Sequence, residues 1–450
     1  MTYHNAVKYI LSAPTANASS HSHDRITYMS ELLGAPHKNL NYIRLAGSNG
    51  KTICSALLGS VLCRAGYTIC SLNTSVLDDL KENIRINSAA LSIPEFTNAV
   101  QTVAHTATVM RHNVERAKAA LLTEEEQDKE LAAIPKSLVN AQTPTELTQS
   151  EILLLCALIT YKNNNCNLCI IESSNTDNDP SLSLKPPFAA VICGAIPNND
   201  PMQMAKIKTY IQRGTKEVIS APQDPLSYKM ISDGCAAINC RLSVPIRSLL
   251  TVKQLSLIGT TFLYNGEEYK LSLCGRFQTT NAITVIETLK VLRRMGYSIS
   301  QEAEHKGLSS VRIRSRFEVL SVNPTIIADS TYKTEAIETV CESLFDFSEI
   351  TGRKISLCLP QNADMINTYL DMLCARGYTV EKIYTVSKDN DTVEELAKSL
   401  KKNIPITPIS SSKASKLIIE DLKEDSLLLI SGKHSFTEDI RTEIIRYMGF

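Results

Sequence analysis

The chain has 450 residues and a mass of 49.6 kDa, more than one hydrophobic core usually serves, so two or three domains are expected. Its 43% hydrophobic and 21% charged content exclude the disordered, collagen-like and membrane classes. Lys plus Arg and Asp plus Glu number 47 each, so no global positive field exists to hold nucleic acid or an anionic membrane, and a small-molecule ligand is expected.

In chain order, AVKYILSA and HDRITYMSELLGAP read as helices, the second with Ile26, Met29, Leu32 and Leu33 at helical spacing before Gly34 and Pro36. NYIRLAG is a short apolar run ending in glycine. KTICSALLGSVLCRAG follows, with Ile53, Leu57, Leu58, Val61 and Leu62 forming a helical stripe closed by Gly66. YTICSLNTS, SIPEFTNAVQTVAHTATVM, SEILLLCALITYK, NLCIIESS, AAVICGAI and KEVISAP then alternate strand and helix, the pattern of a mostly parallel sheet covered on both faces. A polar stretch from about Arg111 to Gln142 interrupts it and reads as a solvated helix and loop.

TVKQLSLIGTTFLYNGEEYKLSL changes character, alternating like hairpin strands around Asn265-Gly266 before the helix NAITVIETLKVLRRMG. A second alternating set runs from FEVLSVNPTIIADS to SLLLISG. The expected division is therefore a domain over residues 1–310 and a smaller α/β domain over 311–450. The first 15 residues lack an export signal and no stretch of about 18 apolar residues occurs, so a cytoplasmic chain is expected. The 13 cysteines are scattered; Cys166 and Cys169 form a C-x-x-C, but no second pair sits at zinc-finger spacing.

Gly47, Ser48, Asn49, Gly50, Lys51 and Thr52 fit G-x-x-G-K-[ST], a shortened relative of the usual phosphate loop, with Leu45 where the longer motif has its first glycine. An apolar run before and an amphipathic helix after would turn backbone N–H groups and a helix N-terminus towards phosphates. Lys51 would reach the terminal phosphates of ATP and Thr52 would ligate magnesium. The plain alternative is a glycine turn that happens to start a helix with an exposed lysine.

AGSNGKT, SLNTSVL, KENIRI, TPTELTQSEILLLCAL, CIIESS, LSLCGRFQTTNA, RSRFEVL, IIADS and LLLISG, in that order over nearly the whole chain, resemble the folylpolyglutamate and dihydrofolate synthases of the Mur ligase superfamily. The resemblance implies a phosphate-loop ATPase domain followed by a Rossmann-like α/β domain. It also implies an ADP-forming ligase: ATP converts a carboxylate acceptor such as a folate to an acyl phosphate, and an amino acid, expected to be glutamate, attacks it. Two domains would close to exclude water from that intermediate. A monomer acting on small molecules is expected.

The same resemblance gives Ser75 and Glu172, with Thr52, as magnesium ligands, Lys51 and Glu172 as catalytic groups, Asn281 and Arg316 as nucleotide contacts, and Asp329 as an acidic residue near the ribose. Lys208 falls where the family has a lysine that is carbamylated in some members. Each has an alternative: a cap for Ser75 or Asn281, a surface ion pair for Glu172, ordinary surface charges for Arg316 and Asp329, and a solvated helix lysine for Lys208.

The chain also departs from the family pattern. IPNNDP stands where the family has an Asp-His pair for a second magnesium, leaving Asn198, Asn199 or Asp200 as oxygen donors. Phe277 replaces a histidine, and Ser330, Thr331, Tyr332 and Lys333 replace Gly-Ala-His-Asn. Two further readings follow from these losses: a nucleotide-binding paralogue without ligase activity, and a ligase for a non-folate acceptor.

Overall fold

The computed structural model describes residues 1–450 except 16–21, 48, 75–76, 78, 124–132, 141–144, 175–178, 197–200, 333, 348–351, 387–389, 410–413 and 450. The described residues form two compact units, Met1–Arg247 with Thr280–Gly307, and Ser248–Thr279 with Leu308–Phe450. No described helix is long and apolar enough to cross a membrane.

In the N-terminal unit, α1 (Tyr3–Ser12) and α2 (Ser22–Leu32) precede β1 (Tyr42–Ala46), α3 (Lys51–Arg64), β2 (Ile69–Asn73), β3 (Ile84–Ile86), β4 (Ala89–Ala90) and α4 (Ile93–Thr123). After α5 (Lys136–Val139) come α6 (Gln149–Asn163), β5 (Leu168–Glu172), β6 (Ala189–Ile192), α7 (Pro201–Thr209), β7 (Glu217–Ser220), α8 (Pro225–Ala237) and β8 (Arg241–Ser243). The eight strands lie in the order β4-β3-β2-β5-β1-β6-β7-β8, parallel except at β3 and β4. Every residue of β1, β5, β6 and β7 is buried, as expected where helices cover both faces of a parallel sheet.

Local chemistry sets the helix ends. Thr148 and Glu151 form a reciprocal capping box at the start of α6, and the buried Glu151 carboxylate also takes the Arg25 guanidinium at 2.8 Å. In α2, Ile26 and Met29 are buried as the periodicity requires, whereas Leu32 is exposed because it falls in the last turn, where the chain leaves the core. The polar stretch after Arg111 begins as a continuation of α4 to Thr123, and residues 124–132 lie outside the described ones.

The C-terminal unit holds β9 (Leu250–Ser256), β10 (Gly259–Tyr264) and β11 (Glu267–Leu271) as a three-stranded antiparallel sheet. Asn265 and Gly266 both have positive φ, 53° and 82°, the turn expected at that dipeptide. Helices α9 (Arg276–Arg294) and α10 (Gln301–Ser309) follow in the chain, and their stretch Thr280–Gly307 belongs to the N-terminal unit. Then come β12 (Glu318–Val322), β13 (Thr325–Asp329), α11 (Thr334–Phe345), β14 (Lys354–Cys358), α12 (Ala363–Ala375) and β15 (Val380–Val386). The chain ends with α13 (Asn390–Ser399), β16 (Ile406–Ile409), α14 (Ala414–Asp421), β17 (Ser426–Ser431) and α15 (His434–Met448).

The order β12-β13-β17-β14-β15-β16 is parallel apart from β12. One face is covered by α11 and α12 and the other by α14 and α15, a Rossmann-like arrangement. The hairpin stretch, expected within residues 1–310, groups instead with this unit. Leu257 and Cys274 share one apolar cluster with Phe317, Ile327 and Leu344, so the division is not a single cut near Ser310.

Candidate phosphate-binding site

Strand β1 sits at the middle of its sheet with β5 on one side and β6 on the other, and the loop leaves its carboxyl end at Ala46. Ligands of open α/β sheets lie at such carboxyl ends. Gly47 has φ 121°, and a Cβ there would lie 2.1 Å from the Cys193 carbonyl oxygen. Gly50, at φ 82°, would place a Cβ 2.4 Å from Asn281 Oδ1. Backbone conformation and close approach both exclude side chains at the two positions, which is the physical content of G-x-x-G.

Beyond Gly50 the chain enters α3, whose N-terminus therefore lies at the loop. The Lys51 side chain arcs back over the loop and donates to Gly47 O at 2.6 Å. Thr52 Oγ1 donates to Glu172 Oε2 at 2.8 Å. Glu172 ends β5, 6% exposed, registered between Leu45 and Asn73. Its carbonyl accepts from both the N–H and the hydroxyl of Thr74, at 3.1 and 2.9 Å, which ties the end of β2 to that of β5.

The structure therefore brings Gly47, Asn49, Gly50, Lys51, Thr52, Glu172 and Asn281 to one edge of the sheet. Ser48 and Ser75 lie outside the described residues, as do Asn198, Asn199, Asp200 and Lys333. Lys208 is exposed on α7. Arg316 and Asp329 belong to the C-terminal unit. There Arg316 is exposed, while Asp329 is buried and takes the Phe317 N–H at 2.6 Å on one oxygen. Burial raises its carboxyl above the ordinary range, against the lowering effects of a Thr331 side-chain hydrogen bond and the nearby Arg316 charge.

The oxygens of Thr52 and Glu172 suit a hard divalent cation. Ligands on adjacent vertices of a magnesium octahedron at about 2.1 Å stand roughly 3 Å apart, close to the 2.8 Å found here. Among the described residues, no group of three or more His, Cys, Asp or Glu side chains could hold a metal, so a zinc-type cage is not what these donors make.

Three contributors were not singled out in the sequence. Cys193 and Gly194 form the wall opposite Gly47 and Asn49; a Cβ on Gly194 would lie 2.9 Å from Asn49 O. Buried Asp179 accepts from Ser174 N at 2.6 Å, Ser181 N at 2.8 Å, Tyr210 Oη at 3.3 Å and Thr74 Oγ1 at 3.5 Å, holding the segments after β2 and β5 together. The glycine after AAVIC was a readable signal; Asp179 sits in no motif.

The chain thus combines a mostly parallel sheet, with a phosphate-type loop at the end of a central strand, and a Rossmann-like unit. No family model matches the chain. A dihydrofolate synthase/folylpolyglutamate synthase of Bacillus subtilis is 24% identical over 445 residues, covering 93% of this chain and 94% of its own. The Thermotoga maritima folylpolyglutamate synthase structure superposes with a TM-score of 0.76 at 18% identity over 100% of this chain and 97% of that one. The Mycobacterium tuberculosis folylpolyglutamate synthase, solved with ADP and AMPPCP, gives 0.75 at 15% identity over 98% of both. The chain is thus similar in sequence, at 24% identity, to a dihydrofolate synthase/folylpolyglutamate synthase and shares the fold of solved folylpolyglutamate synthases.

Proposed function

We propose that the chain is an ATP-dependent, ADP-forming acid–amino-acid ligase that joins glutamate to a folate-type carboxylate acceptor. The observation that carries this reading is the meeting of the loop hydroxyl of Thr52 with the strand-end carboxylate of Glu172, 2.8 Å apart, beneath a lysine folded over the loop. The names of the relatives in sequence and fold support the acceptor and the amino acid.

In this reading the loop amides and the α3 N-terminus hold the polyphosphate, and Lys51 exchanges its bond to Gly47 O for the terminal phosphate oxygens. Thr52 and Glu172 would hold a magnesium ion, with Ser75 assigned to it on resemblance alone, and the ion would supply charge neutralisation for the transferring phosphoryl group. The acceptor carboxylate takes that phosphoryl group, ADP departs, and the amino group attacks the acyl carbon to release phosphate and form the amide. Asn281 packs on Gly50 and fixes the loop edge. Arg316 and Asp329 are assigned as nucleotide contacts of the C-terminal unit, and Lys208 as a catalytic lysine, on resemblance alone. A cytoplasmic monomer is the setting proposed.

Isothermal titration with ATP and magnesium, followed by phosphate release with dihydropteroate or reduced folates and glutamate, tests the proposal. Phosphate release that requires both co-substrates is expected. Nucleotide binding without release for any acceptor would leave a binding protein in its place.

A further inference from the structure

The turn after β6 walls the phosphate loop, and one side chain beyond β7 holds that turn. Gln223 Nε2 donates to Gly194 O at 2.9 Å, and Gln223 Oε1 accepts from Ile196 N at 2.9 Å. A carbonyl and an N–H face the two ends of the amide, so its orientation is fixed by its partners. The same Nε2 donates to Ser220 Oγ, at the end of β7, at 3.2 Å. Ser227 Oγ, buried on α8, donates to Ile196 O at 3.3 Å. Gln223 is itself rooted by its neighbour Asp224, whose carboxylate caps α8 by accepting from Leu226 N at 2.8 Å and Ser227 N at 3.0 Å.

The other side of the turn is pressed on the loop. Cys193 N donates to Ala46 O at 2.7 Å, and the Cys193 carbonyl leaves no room for a side chain at Gly47. Gly194, at φ 68°, comes so close to Asn49 O that a Cβ there would lie 2.9 Å away. We propose that Gln223 is a positioning residue for nucleotide binding: through Gly194 and Ile196 it holds the wall on which Gly47 and Asn49 close, and so sets the loop's grip on phosphate. The proposal rests on the phosphate-loop reading above.

Without the amide, the turn from Gly194 to Ile196 loses its bonds to the segment after β7 and relaxes away from the loop. A misplacement of about 1 Å at a site of positioning costs up to about 100-fold; the helical half of the loop keeps its own support, so a loss of about ten-fold is expected. The wall meets Gly47 and Asn49, whereas Lys51 and Thr52 start α3. Ground-state and transition-state binding of ATP should therefore weaken together, which raises KM and leaves kcat in place.

The test uses the full chain as parent, Gln223→Met and Ser220→Ala, each titrated with the ATP analogue AMPPCP and magnesium. Phosphate release is then followed against ATP concentration with dihydropteroate and glutamate. Gln223→Met, similar in length and unable to make either bond, should bind the analogue about ten-fold more weakly and raise KM for ATP by a like factor, with kcat within about two-fold of the parent. Ser220→Ala removes only the third contact of the amide and should match the parent. Should the methionine variant not fold, Gln223→Glu keeps an acceptor for Ile196 N but has no proton for Gly194 O at neutral pH, and should show the same loss. Parent-like affinity in the folded variant at position 223, or a loss in Ser220→Ala as large as in Gln223→Met, overturns the proposal. So does a fall in kcat with KM unchanged. A parent chain that binds no analogue overturns the loop reading itself; a parent that binds it without releasing phosphate removes the ligase, and the titration alone then judges Gln223.

Discussion

Replacing Gly47 by alanine sets a backbone demand against a steric one, and a second glycine separates them. At Gly47 the new Cβ would lie 2.1 Å from the Cys193 carbonyl oxygen and 3.0 Å from its nitrogen, main-chain atoms of the sheet's own edge that cannot rotate away. Holding a non-glycine residue at φ 121° costs about 1–3 kcal/mol, and forcing the loop or β6 apart to restore contact costs about 1–3 kcal/mol more. Gly66 ends the same helix in the same unit with φ 90° and nothing within 4 Å of its Cβ position, so Gly66→Ala carries only the conformational cost, about 1–2 kcal/mol. Urea unfolding of the N-terminal unit should show Gly47→Ala less stable than Gly66→Ala by at least about 1 kcal/mol. AMPPCP affinity should fall in the first and hold in the second. Equal stabilities, with affinity retained in both, would refute the packing of the loop against Cys193.

Two other substitutions probe charge. Glu172→Gln keeps an oxygen near Thr52 but removes the negative charge that would hold magnesium in the proposed reading, so phosphate release should drop by about 100-fold or more while analogue binding falls much less. Equal losses in both would point to a structural role for Glu172. Asp329 has its folded pKa raised by burial above the ordinary 3.8, so the folded state binds the proton more tightly than the unfolded state. Its contribution is therefore present below about pH 3.8 and is lost as pH rises through the folded pKa. Asp329→Asn, which retains an oxygen for the Phe317 N–H, should be more stable than the parent towards neutral pH, with the difference shrinking in acid. A pH-independent difference in urea midpoints would contradict this.

The sequence carried the fold where local chemistry and pattern agree. Apolar runs at Tyr42–Ala46 and Leu168–Glu172 announced buried parallel strands, and the glycines, lysine and threonine between β1 and α3 announced the loop because each has a local conformational reason. The capping box at Thr148 and the Asn265-Gly266 turn were equally local. What could not be read was contact across long separations. Cys193 lies 146 residues from Gly47, and nothing in AAVICGAI says that its carbonyl will close on a glycine. Asp179 gathers four donors from three segments without belonging to any pattern. The hairpins from Leu250 to Leu271 were legible as strands, but not the partner core they join, because that depends on Leu257 and Cys274 finding Phe317 and Ile327.

Titration of ATP and magnesium into the parent chain and into Lys51→Ala tests the central claim most directly. In the proposed reading Lys51 would supply the cation that leaves Gly47 O for phosphate, and loss of charge-assisted bonds of this kind costs about 1.5–3 kcal/mol each, so affinity should fall at least ten-fold. Binding of equal strength in the two proteins would contradict the account, because the loop would then hold no phosphate.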